Sequence, residues 1–530
     1  MPPKRKAQTA VKAGGKKAKA GANTLKDAIE NLKKADVGKK KTHKPDASCP
    51  LKAFLACEVL EDFDCMLNQT NIGHNNNKYY IIQVLQMGSN YYAWNRWGRV
   101  GEPGANALKG PIPKDDAIKD FKKKFQDKTR NKWENRSNFQ AVPGKYTMLD
   151  MAGEEDDDGG DQIDAAIAAE TKGKNIAKSN LDGPTQKLIK LIFDTNMFRE
   201  AMQKLDIDVK KMPLGKLSKT QIAKGFECLE NLEDGIKKKA SGTKINELTS
   251  QFYTIIPHNF GRSVPPPIKD METLQQKMDM LTVLADIELA QAMQSDKKKV
   301  KKAGPEEPNP LDTNYEKLAC DLELMNTTSK EFKVLETYTN QTRGDYRCSK
   351  IQHIWKVNRS GEEARFAAHK SITNRKLLWH GTNVAVVAAI LNSGLRIMPH
   401  SGGRVGKGIY FASENAKSAG YVSPAGKIGI MFLNEVALGK EYNIGQSSGS
   451  QTKAPSGYDS IVARGHQEPD PSKNTILILD GKKIIVPQAE PVPQPEYEDS
   501  HFDQSEYLVY KESQNRIRYL LMIEDEDWDD

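Results

Sequence analysis

The chain of 530 residues is longer than one hydrophobic core usually serves, so its length predicts several domains joined by linkers. Its net charge is +9, yet residues 1–45 alone hold fourteen Lys or Arg and three acids, a net of +11 that leaves −2 for the remainder. Six cysteines without CxxC or zinc-type spacing predict reduced thiols and no structural metal. The absence of a long apolar run argues against a transmembrane helix and a secretory signal.

Residues 1–50 are predicted to form a disordered basic tail, because Lys, Ala and Gly dominate them and large apolar side chains are scarce. Clustered lysines attract phosphate backbones without reading base sequence, so this tail predicts contact with nucleic acid. A solvated leader without a ligand is the alternative. The runs Lys4–Lys6 and Lys39–Lys41 also fit nuclear import.

Residues 55–148 are predicted to form a small α+β domain. Aromatic and β-branched residues predict strands at Tyr79–Leu85 and Tyr91–Trp94. Apolar residues at helical spacing predict a helix over Asp115–Arg130. The acidic stretch 149–180 is predicted to be a linker.

Residues 181–296 are predicted to be helical. Pro184 suits a first helical turn, and Ser218 with Gln221 predicts a capping box at the start of another helix. The apolar residues that recur at helical spacing are expected to pack the core of a bundle. A charged, proline-containing linker is predicted at 297–310.

Residues 311–530 are dominated by short β-prone runs. One helix is predicted at Val384–Asn392, with Gly394 as the residue after its end. Many strands with so few helices predict an antiparallel α+β domain and not a doubly wound sheet. The predicted strands are Ile351–Trp355, Lys376–His380, Ile409–Ala412, Ile430–Leu438, Thr475–Leu479, Glu506–Tyr510 and Arg518–Ile523.

Three of these runs carry a polar residue with chemical capacity inside an apolar strand: His380, Tyr410 and Glu506. Burying such a side chain costs about 1–3 kcal/mol unless it is paired. Three such polar residues inside apolar strands of one region indicate a functional site, although their spacing alone does not identify its chemistry.

The motifs around these residues resemble the catalytic domain of the poly(ADP-ribose) polymerase family. Lys210–Lys219 and Phe252–Phe260 are similar to that family's helical regulatory domain, and Trp94–Gly101 is similar to its WGR module. The resemblance implies a multidomain α+β protein. Its order would be a WGR module, an all-α regulatory domain and an antiparallel-sheet ADP-ribosyltransferase domain.

Within the family, the short basic leader without zinc-finger cysteines points to the DNA-break-dependent members. The chain most resembles the branch that transfers mainly single ADP-ribose units. A chain-elongating polymerase is the alternative, and a non-enzymatic DNA-end adaptor is a further one. Either enzyme would take NAD as its substrate.

The resemblance also implies residue roles. Glu506 would bind the ribose 2′-hydroxyl of NAD and polarise the acceptor, and His380 would hold a ribose hydroxyl. Tyr410 would lie against the nicotinamide. The remaining NAD contacts implied by the family are Gly381 and Ser418 at the carboxamide, Tyr421 on the ring, Lys417 beside the pocket, and Thr382 and Arg396 on the adenosine side.

The WGR resemblance implies that Trp97 and Arg99 bind single- and double-strand DNA ends by stacking and by clamping a phosphate. Asn77 and Lys78 are predicted to add DNA contacts. The family further implies nuclear location at chromatin breaks, chromatin and repair proteins as acceptors, and no membrane. Its helical domain would restrain NAD entry until DNA binds. Asp286 and Glu288 on the last long helix are candidates to face the pocket, and solvated helix charges are the alternative.

Overall fold

The computed structural model describes residues 44–54, 56–151, 177–204, 217–295, 308–344, 350–397, 402–449 and 451–525. The predicted tail up to residue 43, most of both linkers and most of the Lys210–Lys219 motif lie outside these ranges, as does the side chain of Glu288.

The N-terminal domain is an antiparallel sheet of five strands in the order β4-β3-β2-β1-β5, covered by helix α1. The predicted strands and helix are confirmed. Ala117, Phe121 and Phe125 of α1 are buried against the sheet. The elements are β1 (Cys57–Asn71), β2 (Asn76–Met87), β3 (Asn90–Arg99), β4 (Ala105–Ile112), α1 (Lys114–Thr129) and β5 (Thr147–Leu149).

Residues 44–50, predicted as the end of the tail, pack against this sheet. Asp46 and Arg96 form a buried ion pair with a closest distance of 2.7 Å. The side chain of Gln83 also donates to the carbonyl of Lys44 at 3.1 Å and accepts from the amide of Asp46 at 2.8 Å. These long-range partners explain why composition alone placed the tail boundary too late.

The middle region is helical as predicted. Asp182 caps the first helix, and Ser218 caps α4 by accepting from the amide of Gln221 at 3.1 Å. The side chain of Gln221 does not complete a capping box, because its Oε1 accepts from the amide of Asp150 at 3.0 Å and the amide of Ser218 donates to the carbonyl of Asp150. The helices are α2 (Gly183–Ile192), α3 (Thr195–Lys204), α4 (Lys219–Lys237), α5 (Gly242–Ile255) and α6 (Met271–Ser295).

The C-terminal domain is built on one large sheet, confirming the predicted antiparallel α+β class. Its main order is β13-β14-β19-β11-β8-β12-β20-β7-β6; β17 joins β8 and β16 joins β17. Only β13–β14 and β17–β8 pair in parallel within this part of the described chain. Two small sheets, β9–β10 and β15–β18, lie beside it.

All seven strands predicted for this domain are present. The strands are β6 (Cys320–Leu324), β7 (Lys350–Arg359), β8 (Arg375–Gly381), β9 (Gly402–Gly403), β10 (Gly406–Lys407), β11 (Ile409–Ala412), β12 (Ile428–Ala437), β13 (Glu441–Ile444), β14 (Ser460–Ala463), β15 (Gln467–Pro469), β16 (Thr475–Leu479), β17 (Lys482–Val486), β18 (Pro491–Pro493), β19 (Glu506–Val509) and β20 (Asn515–Glu524).

The helices of this domain include the predicted one, which begins with a 3₁₀ turn at Val384–Val386 and ends before Gly394. The sequence analysis did not predict the helix over Lys330–Thr342, although Phe332, Leu335 and Tyr338 give it a buried face. The helices are α7 (Pro310–Lys317), α8 (Lys330–Thr342), α9 (Glu362–Phe366), α10 (Val387–Ser393) and α11 (Asn415–Ala419). None of the helices described here combines the length and apolar character of a membrane span.

Candidate active site and DNA-facing surface

Three neighbouring strands, β8, β11 and β19, bring the predicted catalytic residues into one region of the large sheet. Ala412 on β11 pairs with Trp379 on one side and with Glu506 on the other. His380 directly follows Trp379, and Tyr410 lies two residues before Ala412 on the same strand. Segments more than 100 residues apart in sequence therefore converge here.

The imidazole of His380 is oriented by the backbone of β11. Its Nδ1 lies 3.0 Å from the carbonyl oxygen of Tyr410, which can only accept, so Nδ1 carries the proton. Burial lowers the pKa of His380 below its usual value, against a smaller opposing effect of that hydrogen bond. The ring is therefore neutral at pH 7, and its Nε2 is left as an acceptor for a hydroxyl.

Glu506 is 6% exposed and forms an ion pair with Lys417, whose Nζ lies 2.8 Å from its Oε1. Lys417 lies on the short helix α11, which directly follows β11. The second predicted neighbour, Tyr410, donates its hydroxyl proton to the carbonyl of Gly406 at 2.7 Å. A fixed carboxylate thus lies beside a cation in a largely desolvated place.

The predicted carboxamide site is close-packed. A Cβ on Gly381 would lie 1.8 Å from the carbonyl oxygen of Ser418, so only glycine fits there. Ser418 and Thr382 are buried, whereas the ring of Tyr421 is 66% exposed and available for stacking. The structure brings Gly381, Ser418 and Lys417 together around the end of β8.

Arg396 is held by the helical region instead of facing an open pocket. Its guanidinium forms an ion pair with Asp286 of α6, as expected if that helix faces the site. Burial raises the pKa of Asp286, and Arg396 partly offsets this shift. A second contact joins Lys407 to Glu233 of α4 at 3.7 Å.

Sequence reasoning missed Glu414, a buried carboxyl two residues beyond Ala412. Its Oε2 accepts from the amides of Gln504 at 2.7 Å and Gln467 at 2.8 Å, while its Oε1 finds no hydrogen-bond partner among the described residues. Burial raises the pKa of Glu414 to about 7. The sequence signal that could have identified Glu414 as a site residue was its position just after the Gly406–Ala412 motif.

The predicted DNA-facing residue Trp97 is 37% exposed and stacks on Tyr80, with ring centroids 5.5 Å apart and planes 10° apart. Lys128 lies 4.5 Å from the Tyr80 ring. Lys78 lies 5.4 Å from the ring of Tyr146. The pKa of Lys128 is lowered chiefly by burial and further by the positive charge of nearby lysines, which include Lys78. Sequence patterns did not single out Tyr80, Lys128 or Tyr146, because only the sheet register places them beside Trp97.

Two other predicted DNA contacts lie at the border with the helical region. Asn77 is 1% exposed, and its amide donates to the carbonyl of His258 at 2.9 Å. This placement is at odds with a phosphate contact in the present conformation. Arg99 donates to the side-chain oxygen of Asn75 and to the carbonyl of Ser263, both at 2.8 Å.

Comparison with protein families accounts for all three parts of the fold. A model of the poly(ADP-ribose) polymerase catalytic domain matches residues 329–525, one of the regulatory domain matches 179–315, and the WGR model matches 63–140. The chain belongs to the poly(ADP-ribose) polymerase family. The predicted family and domain order are thereby confirmed.

Curated relatives show which members of this family the chain resembles more. Protein mono-ADP-ribosyltransferase PARP3 of Homo sapiens is 53% identical over 92% of this chain and 93% of its own length. The Mus musculus protein of that name is 51% identical over 99% of this chain and all of its own length. Poly [ADP-ribose] polymerase 2 of Homo sapiens is 36% identical over 89% of this chain and 81% of its own.

These similarities show an NAD-dependent ADP-ribosyltransferase. NAD is its substrate, so the reaction breaks the bond between nicotinamide and ribose. The catalytic and binding roles of individual residues remain predictions.

Proposed function

We propose that this family member is a DNA-break-activated ADP-ribosyltransferase of the nucleus that transfers mainly single ADP-ribose units. Its acceptors would be proteins of chromatin and DNA repair, or DNA ends. The observation that carries the enzymatic part is the buried ion pair between Glu506 on β19 and Lys417 on α11. Strand β19 lies next to β11, which carries Tyr410, and β11 lies next to β8, which carries His380.

In this reaction the nicotinamide–ribose bond breaks first, and its electron pair leaves with nicotinamide. Positive charge develops on the ribose, where the buried carboxylate of Glu506 stabilises it. The acceptor oxygen then forms the new bond to ribose, and when the acceptor is a hydroxyl its proton passes to Glu506. Glu506 polarises that acceptor, while Lys417 fixes the carboxylate in place.

The other pocket residues bind and orient NAD. The Nε2 of neutral His380 accepts a hydrogen bond from a ribose hydroxyl, and Gly381, which packs closely on Ser418, offers its backbone groups to the carboxamide. Tyr410 and the exposed ring of Tyr421 hold the nicotinamide between them. Thr382 and Arg396 complete the adenosine side once Arg396 is free.

DNA control fits the contacts between domains. The exposed ring of Trp97, which stacks on buried Tyr80, and the cations of Lys78 and Lys128 offer the aromatic face and positive charge that a DNA end requires. Arg99 contacts the loop before α6, and α6 carries Asp286, which occupies Arg396. DNA binding activates the enzyme if DNA favours a state in which α6 releases Arg396.

Transfer of single units is favoured by the higher identity to the mono-ADP-ribosyltransferases than to the chain-elongating relative. Sizing the labelled product on a denaturing gel tests this choice. Discrete additions are expected, and a ladder of long polymers would instead support chain elongation.

The enzymatic proposal is tested by Glu506→Gln in the full chain, with labelled NAD and with nicked, blunt or no duplex. Transfer to protein or DNA is expected to fall by about 100-fold or more, the scale for loss of one preorganised electrostatic group. Glu496→Gln is the matched control, because Glu496 is exposed in a turn of the same domain. Unchanged transfer by the Glu506 variant would remove its assigned role, and equal turnover with and without duplex would remove DNA activation.

A further inference from the structure

The loop 258–263 of the helical region is fixed against the DNA-facing module. Arg99 donates through Nη2 to the carbonyl of Ser263 at 2.8 Å and through Nε to the carbonyl of Gly261. The side-chain amide of Asn75 donates to the carbonyl of Arg262 at 3.4 Å. Three consecutive carbonyls are therefore held by the module, so the backbone at Arg262 has a defined position.

The side chain of Arg262, in contrast, is 91% exposed. Its one ion pair among the described residues is a weak contact of 3.5 Å with Glu102, which is itself 43% exposed. An exposed pair of this kind contributes little to stability, so Arg262 can exchange Glu102 for a better anion at little cost.

Arg262 also lies next to the proposed DNA-end surface. Arg99 and Trp97 are two residues apart on β3, so they point to the same face of the sheet about 7 Å apart. Arg99 pairs with Lys78 across the strands, and Trp97 pairs with Tyr80. A guanidinium on the loop that Arg99 holds therefore extends the same cationic and aromatic surface.

From this geometry we propose that Arg262 binds a backbone phosphate of the DNA end, so that the helical regulatory domain contacts DNA directly. The guanidinium is suited to this role, because its planar donors match phosphate oxygens in a bidentate manner. The proposal rests on the DNA-end binding proposed above and adds a contact from a second domain. DNA would then bridge the WGR module and the loop that leads into α6.

The test compares the full chain with Arg262→Ala by fluorescence anisotropy on a 5′-phosphorylated blunt duplex over a series of salt concentrations. Loss of one phosphate contact is expected to lower the magnitude of the slope of log affinity against log salt by about 0.9. Arg262→Lys is expected to retain most of the slope. The matched control is Lys482→Ala, which removes an exposed cation from β17 of the catalytic domain.

A variant that only disturbed the loop would lose stability together with affinity, so thermal unfolding is measured in parallel. Arg262→Ala with unchanged unfolding and a reduced salt slope supports the proposal. An affinity and slope equal to those of the parent chain overturn it. If the parent chain itself does not prefer ends over a closed circular duplex, then the proposed DNA-end function fails, which is a different result.

Discussion

Gly381 shows how a single residue constrains the packing around the proposed NAD pocket. The carbonyl of Ser418 lies so near that any side chain would have to displace α11 or the end of β8. Interiors are close-packed and transmit such displacements, so the neighbouring Lys417 would move with the helix. The glycine is required for this close approach and not for an unusual backbone angle.

Gly381→Ala is expected to lower transfer at saturating DNA by about 100-fold, the scale of a displaced positioning group. Gly420→Ala is the control, because a Cβ there would meet only the carbonyl of Lys417 at 3.4 Å. NAD turnover and inhibitor binding measure both variants. Equal activity of the two variants would show that the packing at Gly381 does not shape the pocket.

Glu414 gives the site a pH dependence that can be measured. Its pKa is raised from 4.5 to about 7, chiefly by burial; the nearby charge of Glu468 adds to the shift and that of Lys417 opposes it. The folded state therefore holds this proton to higher pH than the unfolded state does. Its contribution to stability is fully present below pH 4.5 and is lost as the pH rises to about 7, a change of about 3 kcal/mol.

Glu414→Gln is expected to abolish this part of the pH dependence. Between pH 4.5 and 7.5 the parent chain should lose about 3 kcal/mol more stability than the variant. Hydrogen exchange of the β11 and β19 amides measures the difference within the catalytic domain. Parallel pH profiles for the two proteins would contradict the predicted proton uptake.

At the scale of elements, α6 joins the helical region to the proposed NAD pocket. This helix of 25 residues packs against α4 and reaches the catalytic domain, where Asp286 forms an ion pair with Arg396. Helical periodicity predicted the helix. The partner of Asp286 was not predictable, because Arg396 is 110 residues away in sequence.

Asp286→Asn is expected to raise DNA-independent transfer about fivefold or more, the lower range of typical couplings between sites, because Arg396 is released. Glu272→Gln is the control, since Glu272 is an exposed acid in the first turn of the same helix. Initial rates of NAD turnover without DNA measure the effect. A rate unchanged from that of the parent chain would show that this ion pair does not restrain the enzyme.

At the scale of the whole molecule, the domains are joined by specific polar contacts. The amide of Asn68 donates to the carbonyls of Tyr253 and Thr254, at 3.1 and 3.0 Å. On the other side of the helical region, the indole of Trp355 donates to the hydroxyl of Thr185 at 2.9 Å. The helical region thus contacts both the WGR module and the catalytic domain.

Removal of residues 1–43 is expected to weaken the salt-sensitive, nonspecific part of DNA affinity and to leave end binding and stability in place. The deletion stops there because Asp46 pairs with Arg96. Asp46→Ala, in comparison, leaves a buried guanidinium unpaired and is expected to cost about 3–5 kcal/mol of stability. Anisotropy on closed circular and blunt duplexes separates the two kinds of affinity. A greater loss on the blunt duplex than on the closed circle would contradict a tail that binds without preference for ends.

The sequence by itself determined the family, the order of domains and seven strands of the eleven-stranded catalytic sheet, because local motifs and apolar periodicity encode them. Only the tertiary structure decided that Asn77 is buried, that Glu414 lies beside the site and that Arg396 is held by α6. Each of these outcomes depends on partners distant in sequence, and burial, charge pairing and pKa depend on what the fold brings near a residue.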